Sequence, residues 1–535
     1  MTRARGFVAP RKSVLDTQSF PFSGKLACEQ KSERDVRNNV TVRFDLLLAK
    51  PITDLLSQSI WLARMRRASA FEGATMWSND ASENLIVSQS TSDVAATSIC
   101  PTPDGGFYVS WFDNANGYSL YLQRLDVRGN AMWETNGKLI YQRNVYSTIK
   151  YGLSIDSDGN ALIGIDSGIA ALHVPGGQVL AFKVSPAGEL LWGPTGITLS
   201  PPDESVSSVL CCGTSDGGAA FIWGKTEQED LIRVTKLDSA GNPLWTASVA
   251  RDTPDANLTP ASIVASDNGS VIYAFVQAID KMSGTYHSVL AQKLAAADGA
   301  NLWGDAPVTV VDSSVATAIT LPMGEMPTLI PDDAGGAVLG YPLADTALRI
   351  YVQRVTSTGQ TSYAPNGVPV TGDQIEASAA RFGFDPRTGR LYIMWNANVL
   401  EMSSVRAQCV DNAGTLLWDD AGIALMAYEP LALTSPVAML PVPGGVMAAW
   451  IQPPPQGANL PQPLRVSMLD LNGAPVWQEP VVDVKTAATT TTTDPVGALS
   501  TTDYAAFAWT SDDNSVRAQN INPDGTLGIA SLHQT

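Results

Sequence analysis

Short alternating runs of apolar and polar residues dominate the chain, four to a unit, and the units repeat about every fifty-five residues. In the first unit the runs fall at about residues 95–101, 107–112, 119–126 and 132–141. Period-two alternation over so few residues predicts strands with one face toward a core. Asp-Gly and Gly-Gly pairs separate the runs, and such pairs suit tight hairpin turns because glycine accepts positive φ at no steric cost. The chain is therefore expected to be all-β and built from four-stranded antiparallel units.

The register of the repeat can be counted. The first turn of each unit carries Gly105, Gly159, Gly217, Gly269, Gly335, Gly389 and Gly444, with Asp503 in the eighth. Six residues on stand Trp111, Ile165, Trp223, Phe275, Tyr341, Trp395, Trp450 and Trp509. The second turn carries Gly129, Gly188, Gly241, Gly299, Gly359, Gly414, Gly473 and Gly525. Four residues beyond these lie Trp133, Trp192, Trp245, Trp303, Tyr363, Trp418 and Trp477; the eighth unit lacks this aromatic. The missing piece stands at the other end of the repeats, where Trp77 precedes Trp133 by one period and is followed by an apolar run ending near Ser88. A closed ring accounts for both facts. Four-stranded units at this period predict an eight-bladed β-propeller, with the outer strand of the last blade supplied from residues 77–88. Seven blades and one odd repeat is the alternative. Residues 1–75 do not repeat and form a separate basic extension, leaving 76–535 as a single propeller domain.

The phrase G-x-x-x-W after a strand, as in "RGNAMW" and "AGNPLW", resembles the tryptophan-docking repeat of eight-bladed quinoprotein-like (PQQ-like) propellers. The longer "YLQRLDVRGNAMW" is similar to repeats of uncharacterised exported bacterial propellers. The resemblance covers residues 77–529. It implies an aromatic ring laid on a glycine between neighbouring blades, and an exported protein. Propellers host both enzymes and binding modules, so it implies no particular activity.

Composition narrows the function. The net charge is −18, and it is unevenly placed: residues 1–76 carry +6 and the remainder −24. So acidic a body repels phosphate backbones, which argues against nucleic acid as a partner. The most apolar stretch, residues 44–63, is interrupted by Asp45, Lys50, Pro51 and Asp54, and no membrane span is expected. The first residues are basic but lack the apolar stretch of a recognisable signal peptide.

Three further features bear on chemistry. Adjacent Cys211 and Cys212 raise the idea of the vicinal disulfide that some quinoprotein dehydrogenases hold beside their cofactor. The run "VSSVLCC" reads as an inner strand, though, and successive strand side chains point to opposite faces, so two separate buried thiols are expected. "TSDGGAAF" fits the loose Asp-box of sialidase-type propellers, but sits on the first hairpin of its unit and is read as an ordinary turn. Length variation is confined to the second-to-third-strand and inter-blade loops, all on one face. That face is where a ligand site is expected. Its acidic residues Asp113, Asp166, Asp230, Asp280, Asp345 and Asp512 are the candidate binding residues, for a cation at the axial mouth or a basic partner. The reading is a monomeric, non-enzymatic binding or scaffold propeller for a protein or glycan, without a resident cofactor or catalytic residues. The alternative is an enzyme with an axial active site, either a quinoprotein dehydrogenase or a carbohydrate-active hydrolase.

Overall fold

The computed structural model describes residues 76–529, apart from the segments 144–147, 169–176, 202–205, 226–230, 252–255, 282–283, 313–325, 345–346, 373–375, 431–433, 453–461 and 487–491. Residues 1–75, His173, Asp230, Asp345 and much of the long loops lie outside the described residues.

Eight antiparallel sheets follow one another along the chain, each a simple meander of four strands. Blade one consists of Val94–Pro101, Phe107–Asp113, Ser119–Leu125 and Lys138–Tyr141. Blade six adds a short fifth strand, Glu429–Pro430, beside its third. The first strand of every blade contacts the first strand of the next, and that of blade eight contacts blade one, so the inner strands form a closed circuit. This is an eight-bladed propeller.

Closure is made as the repeat count requires. Leu85–Gln89 pairs antiparallel with Ser515–Ile521 as the outer strand of blade eight, with Leu85 opposite Ala518 and Gln89 opposite Ser515. Gln519 Nε2 donates to the Ser78 carbonyl at 2.6 Å, tying the two ends of the described chain further. Blade eight then joins blade one through Tyr504, whose hydroxyl donates to the Gly105 carbonyl at 2.6 Å.

The two aromatic series have distinct structural jobs. Those of the second strand are core: Trp111, Trp223, Trp395, Trp450 and Trp509 are essentially inaccessible. Trp111 and Trp395 lie over Gly137 and Gly422, glycines of their own blades, where an added Cβ would come within 2.6 Å of either ring. The second series bridges blades. The Trp77 indole covers Gly129 of blade one, and its Nε1 donates to the Val127 carbonyl at 3.1 Å. The same contact recurs around the ring, from Trp133 on Gly188 to Trp477 on Gly525, with Tyr363 on Gly414 standing in for tryptophan. Each glycine has φ between +72° and +90°, a conformation that a side chain would strain as well as crowd.

One expectation changes. The fourth strand of blade one does not begin at Met132; it covers Lys138–Tyr141 only. Trp133 stands in a bend before it because buried Gln123, on the third strand, takes the backbone groups that a ladder would otherwise use. Gln123 Oε1 accepts from the Trp133 and Arg124 amides at 3.1 and 2.9 Å, and its Nε2 donates to the Glu134 carbonyl at 2.9 Å. Gln353 and Gln408 hold Tyr363 and Trp418 in the same way. In blade three Thr235 occupies this position and no glycine turn follows the tryptophan; there the fourth strand runs unbroken over Pro243–Ala250.

Candidate functional site

The inner strands carry an irregularity that the repeat does not announce. Register shifts interrupt first-strand pairing between Ala95 and Ser98, Ser207 and Leu210, Ser378 and Arg381, and Thr493 and Val496. At these bulges Ala96, Ser208, Ala379 and Asp494 adopt φ of +54°, +54°, +53° and +47°. Left-handed non-glycine backbone costs about 1–3 kcal/mol a residue and persists only where its surroundings enforce it. Bulges bend a strand and re-aim its side chains. Here they sit near the start of the first strands, at the end of the axis that belongs to the variable-loop face.

A cavity of about 540 Å³ opens at this end of the axis. It is lined by Ala96, Thr97 and Ser98 of blade one, by residues 148–151 leading into blade two, by residues 494–496 of blade eight, and by Arg381 of blade six. Its walls are locked blade to blade. Asp494 Oδ2 accepts the Ala96 amide at 3.0 Å, so blade eight holds the bulge of blade one. The Tyr151 hydroxyl donates to the Ala96 carbonyl at 3.0 Å and pairs with the Ser110 hydroxyl at 2.7 Å, which fixes the bulge from blade two. Burial pushes the Tyr151 phenol well above its ordinary pKa, so it remains a neutral donor.

The charges in the lining are Lys150, Arg381 and Asp494. Lys150 is an exposed residue of the cavity wall and, among the described residues, has no ion-pair or hydrogen-bond partner. The surrounding inner strands still displace enough water to lower its pKa below the ordinary lysine value. Arg381 Nη1 donates to the Ala380 carbonyl at 3.0 Å. Thr97 is only 6 % exposed, and its hydroxyl, itself inaccessible, has no hydrogen-bond partner among the described residues.

The acidic residues singled out from the sequence lie elsewhere. Asp113, Asp166 and Asp280 stand at or near the ends of second strands in blades one, two and four, and Asp512 in the hairpin turn of blade eight. Asp113 and Asp166 each accept a backbone amide two residues on, at 2.8 Å, from Ala115 and Gly168. Burial raises the Asp166 pKa. None of the four lines the cavity. Among the described residues no group of three or more His, Cys, Asp or Glu is placed to hold a metal ion.

The cysteines behave as a strand requires. Cys211 and Cys212 are unbridged and buried in Val206–Gly213. Cys211 packs with Leu162 and Ala181 of blade two, whereas Cys212 packs toward Tyr273 and Phe275 of blade four. Burial pushes the Cys212 thiol to about 12 and the Cys211 thiol higher still.

No protein-family model matches the chain. No curated protein matches it in sequence either. Solved structures similar to it include an ulvan lyase of a new polysaccharide-lyase family, at 12 % identity over 77 % of this chain and 100 % of that one, with a TM-score of 0.43. Prolyl oligopeptidase B from Galerina marginata is similar at 11 % identity, 81 % and 56 % coverage, and 0.41. An α-L-arabinofuranosidase from Fusarium graminearum is similar at 10 %, 61 % and 96 %, and 0.36. Similarity this distant carries nothing about activity. Among the described residues no helix is long and apolar enough to cross a membrane.

Proposed function

We propose that the protein is a binding propeller that takes its ligand in the axial cavity at the centre of the variable-loop face. The observation that carries this is the cavity itself: about 540 Å³, inside the roughly 300–1,000 Å³ range of small-molecule sites, with bulged and cross-locked walls. Its rigidity comes from three blades fastened together at Ala96, which suits a preorganised site. An exported monomer is part of the proposal, and the export rests on the repeat resemblance.

Neither enzymatic alternative draws support from the described residues. Glycoside hydrolysis generally uses two carboxyl groups facing one bond, whereas the lining holds one carboxylate, Asp494, already accepting a backbone amide. The quinoprotein reading began with Cys211 and Cys212, which are free thiols on opposite faces of a strand. A cation at the mouth, the expectation from the acidic loops, fits poorly with a lining of two basic groups to one acidic group.

The test is a glycan and peptide array probed with the full chain and with Thr148→Trp, which would fill the cavity from its exposed wall. Ligands captured by the wild type and lost by the variant support the reading. Equal capture by both proteins places binding elsewhere and refutes it.

A further inference from the structure

The chain holds five Asn-Gly pairs, at Asn116, Asn136, Asn268, Asn366 and Asn472. Such a pair can react with itself. The glycine amide nitrogen attacks the asparagine Cγ, closes a five-membered succinimide and expels ammonia, and glycine puts no side chain in the way. The carboxamide must be free to turn and the glycine amide free to approach it, so a folded chain sorts its pairs by how firmly each is held. Four are tied down. Asn136 Oδ1 accepts the Gln89 amide and Asn366 Oδ1 accepts the Asp312 amide, both at 2.9 Å, and each bond must break before the carboxamide can turn. Gly269 is buried, and its amide donates to Ser215 Oγ at 3.0 Å. Gly473 lies under the Trp418 ring, and its amide donates to the Asp470 carbonyl at 3.0 Å. Asn116-Gly117 is held least. The pair stands in the loop between the second and third strands of blade one, with Asn116 exposed. Among the described residues the Asn116 carboxamide has no hydrogen-bond partner. The Gly117 amide donates to the Asn114 carbonyl at 3.3 Å, the longest such bond among the five glycines. The loop is anchored on both sides of the pair, by the Asn114 amide on the Asp93 carbonyl at 2.9 Å and the Tyr118 hydroxyl on Asp93 Oδ2 at 2.5 Å. A change at the tip therefore leaves the blade intact.

We propose that Asn116 is a site of self-modification, converting in the folded protein to aspartate and isoaspartate. A bond forms between Gly117 N and Asn116 Cγ, the bond from Cγ to the side-chain nitrogen breaks, and the Gly117 amide proton leaves with the ammonia. Water then opens the succinimide at one of its two carbonyls. Opening at Cγ restores the ordinary chain as aspartate. Opening at the backbone carbonyl carbon leaves the chain running through Cβ and Cγ, as isoaspartate. Either product adds one negative charge to the variable-loop face, and isoaspartate also lengthens the loop by one methylene. The other four pairs are protected by the contacts that hold their turns.

The experiment incubates the full chain at mildly alkaline pH, digests samples over time and follows the gain of one mass unit at each of the five asparagines, with isoaspartate detected by enzymatic methylation. Asn116 should convert about tenfold faster than any of the other four, the scale set by one hydrogen bond that must break first. In urea, where the turns are lost, the five rates should come together. Asn116→Gln should abolish conversion at that position while leaving the thermal midpoint and the other four rates unchanged. Another pair converting as fast as Asn116 in the folded chain would overturn the assignment. So would an Asn116 that stays intact in the folded chain and converts only in urea. Rates spread as widely in urea as in buffer would overturn it too, because the selection would then lie in the neighbouring residues rather than in the fold.

Discussion

Replacing Gly129 by alanine tests whether the ring is held together by aromatic side chains seated on glycine backbones. Two penalties follow from the structure. Gly129 has φ +85°, so alanine there costs about 1–2 kcal/mol in left-handed backbone strain. Its new methyl group would also lie 2.7 Å from Trp77 Cδ2, inside contact distance of a large rigid ring. Displacing that ring disturbs a packed surface and the Nε1 bond to Val127, adding about 1–3 kcal/mol by analogy with other overpacking. Gly444 provides the control. Its φ is +86°, yet a methyl group at that position meets no atom within 4 Å. Gly444→Ala should therefore cost about 1–2 kcal/mol and Gly129→Ala about 2–5 kcal/mol. Urea denaturation followed by tryptophan fluorescence measures both, with the slope unchanged and the midpoints displaced. In a Trp77→Phe background, the smaller ring should shrink the excess cost at Gly129, since the two residues touch. Equal losses for the two alanine variants would show that Trp77 is not seated on Gly129, and with it the docking explanation of ring closure would fail.

Three other outcomes follow from particular side chains. Gln408→Leu leaves the Trp418 and Cys409 amides without their acceptor, and should lower stability by about 2–4 kcal/mol, far more than substitution of an exposed glutamine. Lys485 is buried, with one hydrogen bond to the Gln462 carbonyl at 3.1 Å, and burial lowers its pKa from 10.5 to about 8. Because the folded state gives up this proton first, stability rises as pH climbs from about 8 to 10.5 and is lost again as pH falls through 8. Lys485→Met should be more stable than wild type at pH 7, by on the order of 2 kcal/mol, and should lose most of that advantage above pH 10.5; a constant advantage at all pH values would refute the assignment. Cys211 and Cys212 should both resist a thiol reagent in the native protein at pH 8 and both react once unfolded; rapid native labelling, or an intact bridge found by mass spectrometry, would contradict the strand placement.

Fold and site differ in how far the chain itself discloses them. The blade number, the antiparallel meander and the closing strand were legible because each rests on a repeated local rule. A glycine is needed where the turn has positive φ, and an aromatic is needed four residues later to cover the glycine of the next blade. Such rules leave a period, and an aromatic missing at one end and present at the other betrays closure. The glutamine of "YLQRLD" also recurs, at Gln123, Gln292, Gln353, Gln408 and Gln519, but its meaning is hidden without knowing that it is buried and that the fourth strand breaks beside it. The cavity follows the repeat register, since Ala96, Lys150 and Asp494 each stand nine residues before the first-turn residue of their unit, but the residue types at that position differ from blade to blade and leave no signature. They meet only because a closed ring brings the starts of the inner strands around one axis. The acidic residues at the second-strand ends stand on the same face as the cavity, one strand out from the inner strands that line it. Nor did any glycine announce the left-handed turns at Ala96 and Asp494, since those conformations are imposed by contacts between blades rather than chosen by the residues that adopt them.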